Sequence, residues 1–254
     1  MIYDLQKASW MKRISAFLLD FILLAIATTG AMLMMNTLTS YDTYYDEYLL
    51  IITETKESYN IPAIEQMTEE ERLIYGEDAI NQAYSDYLDE INNNKEFIRL
   101  ENLISSLGLL NITISLLFAY LLFELIVPLI LKNGQTIGKK VFSIAVMRND
   151  GIKISSMSLF VRTILGKYTI ETMVPVAMLL MFFTAPIMAI FVILLILLLQ
   201  VVLLITSKKR AMIHDYLAYT VVVDFQSQMI FDSVKAKQEY QLRLHKEAAE
   251  KATY

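Results

Sequence analysis

Cysteine is absent from the 254 residues, and histidine occurs only twice, proline four times and glycine seven times. Without cysteine there are no disulfides and no thiolate metal sites. Two histidines leave too few imidazoles for a histidine-based zinc centre. No nucleophile–base pair and no metal-ligand cluster stands out, so the chain is not read as an enzyme and no cofactor or metal is expected. An excess of basic residues is also missing. The formal net charge is −5, which removes the electrostatic footprint of a nucleic-acid binder. What the chain has in excess is apolar surface. Hydrophobic residues make up 56% of it, more than an ordinary soluble domain carries.

The overall charge hides an asymmetry. Residues 36–103 hold 16 acidic and 4 basic residues, and the remainder holds 11 acidic and 18 basic. Such a split fits a membrane protein with two different aqueous faces. Three apolar tracts carry the spans. Ile14–Met35 and Ile104–Leu131 are each long enough for one crossing. Tyr168–Thr206 would reach about 58 Å as one helix, against a hydrocarbon core of about 30 Å, so it folds back on itself. Pro186 in "FTAPI" removes a donor and disfavours helix at Ala185, which places the break. The first arm of this hairpin is short if it begins at Tyr168, and a start near Leu159 is expected, with Arg162 and Lys167 buried or reaching the interface.

The expected fold is therefore an α-helical integral membrane protein with four transmembrane helices. It also has a long acidic helical extracytoplasmic insertion and a small cytoplasmic β-hairpin or sheet. The segments are 1–35 (amphipathic N-terminus and span one), 36–103 (acidic outer region), 104–131 (span two) and 132–158 (inner loop with hairpin). They continue with 159–206 (spans three and four), 207–224 (a motif and strand) and 225–254 (a charged tail). Lys7, Lys12 and Arg13 precede span one, Lys132, Lys139, Lys140, Arg148 and Lys153 follow span two, and Lys208, Lys209 and Arg210 follow span four. The positive-inside rule puts all of these, and both termini, in the cytoplasm. Span one is too long, and too interrupted by Asp20, to read as a cleaved signal peptide.

Outside, Tyr41, Tyr44, Tyr45, Tyr48, Leu49 and Ile52 fall on one helical face. "TEEE" (68–71) fits a capping box ahead of a second stripe, Ile80, Ala83, Tyr84, Tyr87, Leu88 and Ile91. These tyrosines read first as the region's own small core, and second as a partner- or cation-collecting surface in a negative field. Inside, "SIAVMRNDGIKIS" (143–155) turns at Asp-Gly and predicts a hairpin, and "TVVV" (220–223) predicts a further strand. "GQTIGKK" (134–140) fails as a phosphate loop, because only three residues separate its glycines and no Ser or Thr follows its lysines. It reads as an interfacial turn with Lys139 and Lys140 on anionic lipid heads. "HD" (214–215) reads as a hydrogen bond that holds the fold.

Three stretches together resemble one family. "KRISAFLLD" sets Arg13 and Asp20 seven residues apart in span one. "GQTIGKKVFSIAVMRNDGIKIS" follows span two, and "KKRAMIHDYLAYTVVV" follows span four. This combination is similar to the RDD family of bacterial membrane proteins, named for an arginine and two aspartates. The resemblance covers about residues 7–35 and 104–224, and the matching positions are Arg13, Asp20 and, for the second aspartate, Asp215. It implies a multi-pass protein of the bacterial cell membrane. Some members of the family are reported as cation/proton antiporters, others as accessory or regulatory proteins.

Asp20 lies about 10 Å deeper in the membrane than Arg13, on the same helical face. Measured from the same side, Glu124 lies about 10 Å deep, Gln200 about 9 Å and Glu171 about 6 Å. Spans must hide such groups from lipid, so this layer should converge on the bundle interior. Two readings follow. In one, Asp20 and Glu124 pair with Arg13, Arg162 or Lys167 as polar glue. In the other, free carboxylate oxygens bind Na⁺, K⁺, Li⁺ or H⁺, and the chain is a transporter that would need to oligomerise. The competing function is a non-transporting adaptor or regulator that docks a membrane partner protein through its acidic outer region and charged tail.

Overall fold

The computed structural model describes residues 5–131 and 133–252. Among the described residues, four helices are long and apolar enough to cross a membrane: α1 (Trp10–Leu38), α6 (Lys95–Leu131), α8 (Ser156–Leu180) and α9 (Pro186–Thr206). The break between α8 and α9 falls where the proline places it. A 3₁₀ turn at Met181–Phe183 ends the first arm, and Pro186, whose missing N–H costs nothing at a helix start, opens the second. The chain divides into two compact units, 29–115 and a larger one made of 1–28 with 116–254.

The unit 29–115 contains α2 (Tyr41–Ser58), α3 (Ile61–Glu65), α4 (Glu69–Tyr75) and α5 (Glu77–Asn93). The capping box forms as its sequence predicts. Thr68 accepts from the Glu71 amide, and Glu71 accepts from the Thr68 amide. Ile61, Ile64, Ile91, Phe97 and Leu100 are the buried apolar residues, and Tyr48 stacks on Phe97 at 5.0 Å. Of the tyrosine stripe, Tyr41, Tyr44 and Tyr48 are half-buried, while Tyr45 and Leu49 are exposed. Asn111, fully buried, donates to Asn36 Oδ1 at 2.9 Å and Thr39 Oγ1 at 3.0 Å. Asn111→Leu strands both acceptors. The expected cost is about 1–3 kcal/mol, read as a lowered melting temperature of the detergent-solubilised protein.

In the larger unit, α7 (Ile137–Val141) leads into β1 (Ile144–Arg148), and α10 (Ile213–Leu217) leads into β2 (Thr220–Asp224). The strands pair antiparallel, with Val146 opposite Val222. Both faces of this two-stranded sheet are covered. Ile144, Val146 and Val222 pack with Ala8 and Ala16 of the N-terminal segment, and Ala145, Met147, Val221 and Val223 pack with Leu5 and Ile230. The predicted hairpin is correspondingly reduced. The turn at Asn149–Gly151 forms, with Gly151 at φ +85°, but its return arm makes one bridge to β1, Met147 to Lys153. The continuous apolar run 144–147 needs burial on both faces, and β2 supplies the better partner. A charged helix, α11 (Val234–Ala252), follows.

Candidate functional site

Asp20 is the residue on which the larger unit's interior is organised. It is 8% exposed. It accepts a hydrogen bond from Thr136 Oγ1 and another, at 2.7 Å, from the Gly138 amide. Thr136 is the N-cap of α7 and accepts from the Lys139 amide, so Asp20 and Thr136 each satisfy one orphan donor at the start of that helix. The approach is close enough to dictate glycine. A Cβ on Gly138 would lie 2.3 Å from the Ala16 carbonyl oxygen and 2.8 Å from Asp20 Oδ1. The "GQTIGKK" turn is thus a dock for span one.

That dock turns Lys139 inward. Only Lys140 is exposed; Lys139 is buried, which corrects the reading that put both on lipid heads. The Lys139 ammonium hydrogen-bonds Thr136 Oγ1 at 3.0 Å and stands 3.6 Å from Asp20 Oδ2 and 4.0 Å from Glu124 Oε2. Glu124 is held more firmly by Lys167, at 2.6 Å. Burial lowers the Lys139 pKa to about 8, against the opposing pull of Glu124 and Asp20.

Beside this group lies a second network. Arg162 pairs with Asp215, donates to Thr220 Oγ1 at 2.8 Å, and meets His214 Nε2 at 3.1 Å. A guanidinium only donates, so His214 Nε2 carries the lone pair and Nδ1 carries the proton, which it donates to Glu171 at 2.8 Å. Burial lowers the His214 pKa, in keeping with a neutral ring. Burial alone would raise the Asp215 pKa, but the Arg162 guanidinium and the hydrogen bond from the Met212 amide outweigh it and hold the carboxyl at about 2. Gln200 hydrogen-bonds Glu171 and accepts from the Ile213 amide at 3.3 Å.

Arg13 does not reach Asp20. It donates instead to the carbonyls of Arg210, at 2.8 Å, and Val222, at 2.7 Å. Arg13 therefore ties the start of span one to the chain after span four, and its partners are backbone acceptors of the turn and of β2.

A cavity of about 170 Å³ is lined by the charged members of both networks. Asp20, Glu124, Glu171 and Asp215 face Arg13, Lys139, Arg162 and Lys167, so the lining is balanced with His214 neutral. The candidates Asp20, Glu124 and Glu171 are thus brought to one cavity, and Gln200 sits behind Glu171.

Backbone geometry assembles the set. In α8, Val161–Met173 is π-helical, and in α6, Leu121–Ile126 around Glu124 is too. On an α-helix Lys167 and Glu171 would lie about 140° and 180° around from Arg162. A π-helix closes its hydrogen bonds at i+5, so spacings of five and four are each roughly one turn. Arg162, Lys167 and Glu171 then share a face. Gly166 admits α10 alongside, since its Cβ would lie 2.5 Å from His214 Cβ.

Sequence reasoning missed Lys139, Thr136 and Gly138 as members of the site. The signal available was the Thr at the N-cap position ahead of two lysines, which fixes the side of a short helix each lysine takes. No curated protein and no solved structure matches the chain. A family profile, described as the RDD family, matches residues 7–219. With four helices long and apolar enough to cross a membrane among the described residues, and the family match over most of its length, the chain is a membrane protein that belongs to the RDD family.

Proposed function

We propose that the chain exchanges a monovalent cation for a proton across the bacterial cell membrane, with both termini cytoplasmic, and that Lys139 and the cation alternately neutralise Asp20 and Glu124. One observation carries this reading. Lys139 lies between two buried carboxylates inside a cavity, yet at 3.6 Å and 4.0 Å it makes no direct hydrogen bond to either. A loosely held ammonium can be replaced by a soluble cation once it loses its proton. The charge in the site is the same before and after, so the low-dielectric interior is not left with an unpaired carboxylate.

The sign of the pH dependence follows. Below about pH 8 Lys139 is charged and excludes the cation. Above it the amine is neutral and Na⁺, K⁺ or Li⁺ enters. Cation-driven proton movement in sealed proteoliposomes is therefore expected to rise between about pH 7 and 9, and to fall to background in Asp20→Asn. It should also fall in Lys139→Arg, whose guanidinium keeps its proton. Full exchange in a folded Asp20→Asn protein would defeat the proposal. Four spans make a thin transporter, so a second copy of the chain belongs to this reading.

A second function rests on a separate observation. The unit 29–115 is compact in its own right and carries most of the acidic excess. A regulator or adaptor would dock a membrane partner there. Deleting residues 41–100 would then remove a co-purifying protein, and recovery of a single species from gently solubilised membranes counts against docking.

A further inference from the structure

We infer that the cavity just beyond the end of α9 is a headgroup site for an anionic phospholipid whose headgroup ends in hydroxyls, such as phosphatidylglycerol. This cavity, about 260 Å³, is separate from the charged one between the spans and is lined by Ser207, Lys208, Lys209, Asn149 and Tyr219 among others. Ser207 is the residue after the last residue of span four, which is where phosphates lie in a bilayer crossed by that helix.

Its polar groups specify the ligand. Lys208 and Lys209 supply two positive charges, and among the described residues no carboxylate lies within ion-pair distance of either. Lys209 stands over the Tyr219 ring at 5.7 Å, which orients the ammonium without neutralising it. The Asp215 carboxylate also lines the cavity, but it is committed to Arg162. Lys7 reaches the Lys208 carbonyl at 3.0 Å and adds positive charge at the rim. Tyr216 and Tyr219 are more than half exposed, as aromatic residues are at a membrane interface.

Asn149 Oδ1 is buried with no hydrogen-bond partner, an acceptor that needs a donor. Phosphate offers acceptors only and satisfies the lysines, not Asn149. A glycerol headgroup offers both, a phosphate for Lys208 and Lys209 and a hydroxyl that donates to Asn149. Phosphatidylethanolamine would place an ammonium beside two lysines, and phosphatidylcholine has no donor at all.

The test is native mass spectrometry of the full-length protein in detergent, with phosphatidylglycerol, phosphatidic acid, phosphatidylcholine or soluble glycerol 3-phosphate added in turn. The expected result is one retained phosphatidylglycerol. Its preference over phosphatidylcholine should fall roughly thirtyfold in Lys208→Gln/Lys209→Gln, at the usual contribution of a basic residue near an anionic surface. Lys208→Arg/Lys209→Arg should restore it. Asn149→Ala should equalise phosphatidylglycerol and phosphatidic acid while leaving the overall anionic preference. Equal retention of phosphatidylglycerol and phosphatidylcholine by the unaltered protein overturns the site, as does retention undiminished by Lys208→Gln/Lys209→Gln. Displacement of the lipid by glycerol 3-phosphate at comparable concentration overturns the lipid as its occupant.

Discussion

Arg162→Leu is expected to destabilise the protein by about 3–5 kcal/mol, the range for removing one partner of a buried ion pair. Arg162 and Asp215 are 3% and 1% exposed. Without the guanidinium, the Asp215 carboxylate, the Thr220 hydroxyl and the His214 Nε2 lone pair lose a donor together. A charge left in an apolar interior costs more than the pair contributed when intact. The prediction thus includes a second variant. Arg162→Leu/Asp215→Leu removes both charges and should recover a large part of the loss, so the two substitutions are strongly non-additive. Thermal unfolding of the solubilised protein reads both. A single-variant loss below about 1 kcal/mol, or simple additivity, would show that Asp215 has another counter-charge.

Gly138→Ala is the second large effect. The new methyl group would meet a backbone carbonyl at 2.3 Å, and that oxygen cannot rotate away as a side chain could. Relief requires α7 to leave span one. Asp20 then gives up its bonds to Gly138 and Thr136, and Lys139 loses its position between the carboxylates. Overpacking of about 1–3 kcal/mol adds to the loss of hydrogen bonds to a charged group, about 1.5–3 kcal/mol each. Gly30→Ala is the control, since nothing lies within 4 Å of its Cβ. The expected outcome is a Gly138→Ala protein that is poorly recovered from membranes and a Gly30→Ala protein that matches the unaltered chain. Equal recovery of both would mean that the turn is not the dock described.

The parts of this architecture set by local chemistry were legible in the residues. Hydropathy and helix length locate four crossings, and Pro186 locates the return of the last pair. Counting rise per residue also put Asp20, Glu124 and Glu171 in one layer, and the three line one cavity. The angular positions were not legible, because they depend on residues per turn. A 13-residue π-helical stretch rotates Glu171 onto the face of Arg162, and no α-helical count recovers that. Pairing was hidden for a related reason. Arg13 shares a face with Asp20 but binds the carbonyls of Arg210 and Val222, partners that only the tertiary fold brings near. Lys139 and Lys140 look alike in sequence, and the cap at Thr136 decides which of them enters the interior.

The central claim is that one proton on Lys139 and one cation compete for Asp20 and Glu124. The most direct test is proton release when Na⁺ or K⁺ is added to the purified protein in weakly buffered detergent at pH 7, with the bound cation counted in parallel. About one proton per bound cation is predicted, by linkage between the two ligands. Lys139→Arg should release none and bind no cation, and Lys139→Gln should bind the cation and release no proton. Cation binding by the unaltered protein without proton release, or unchanged release from Lys139→Arg, would contradict the account.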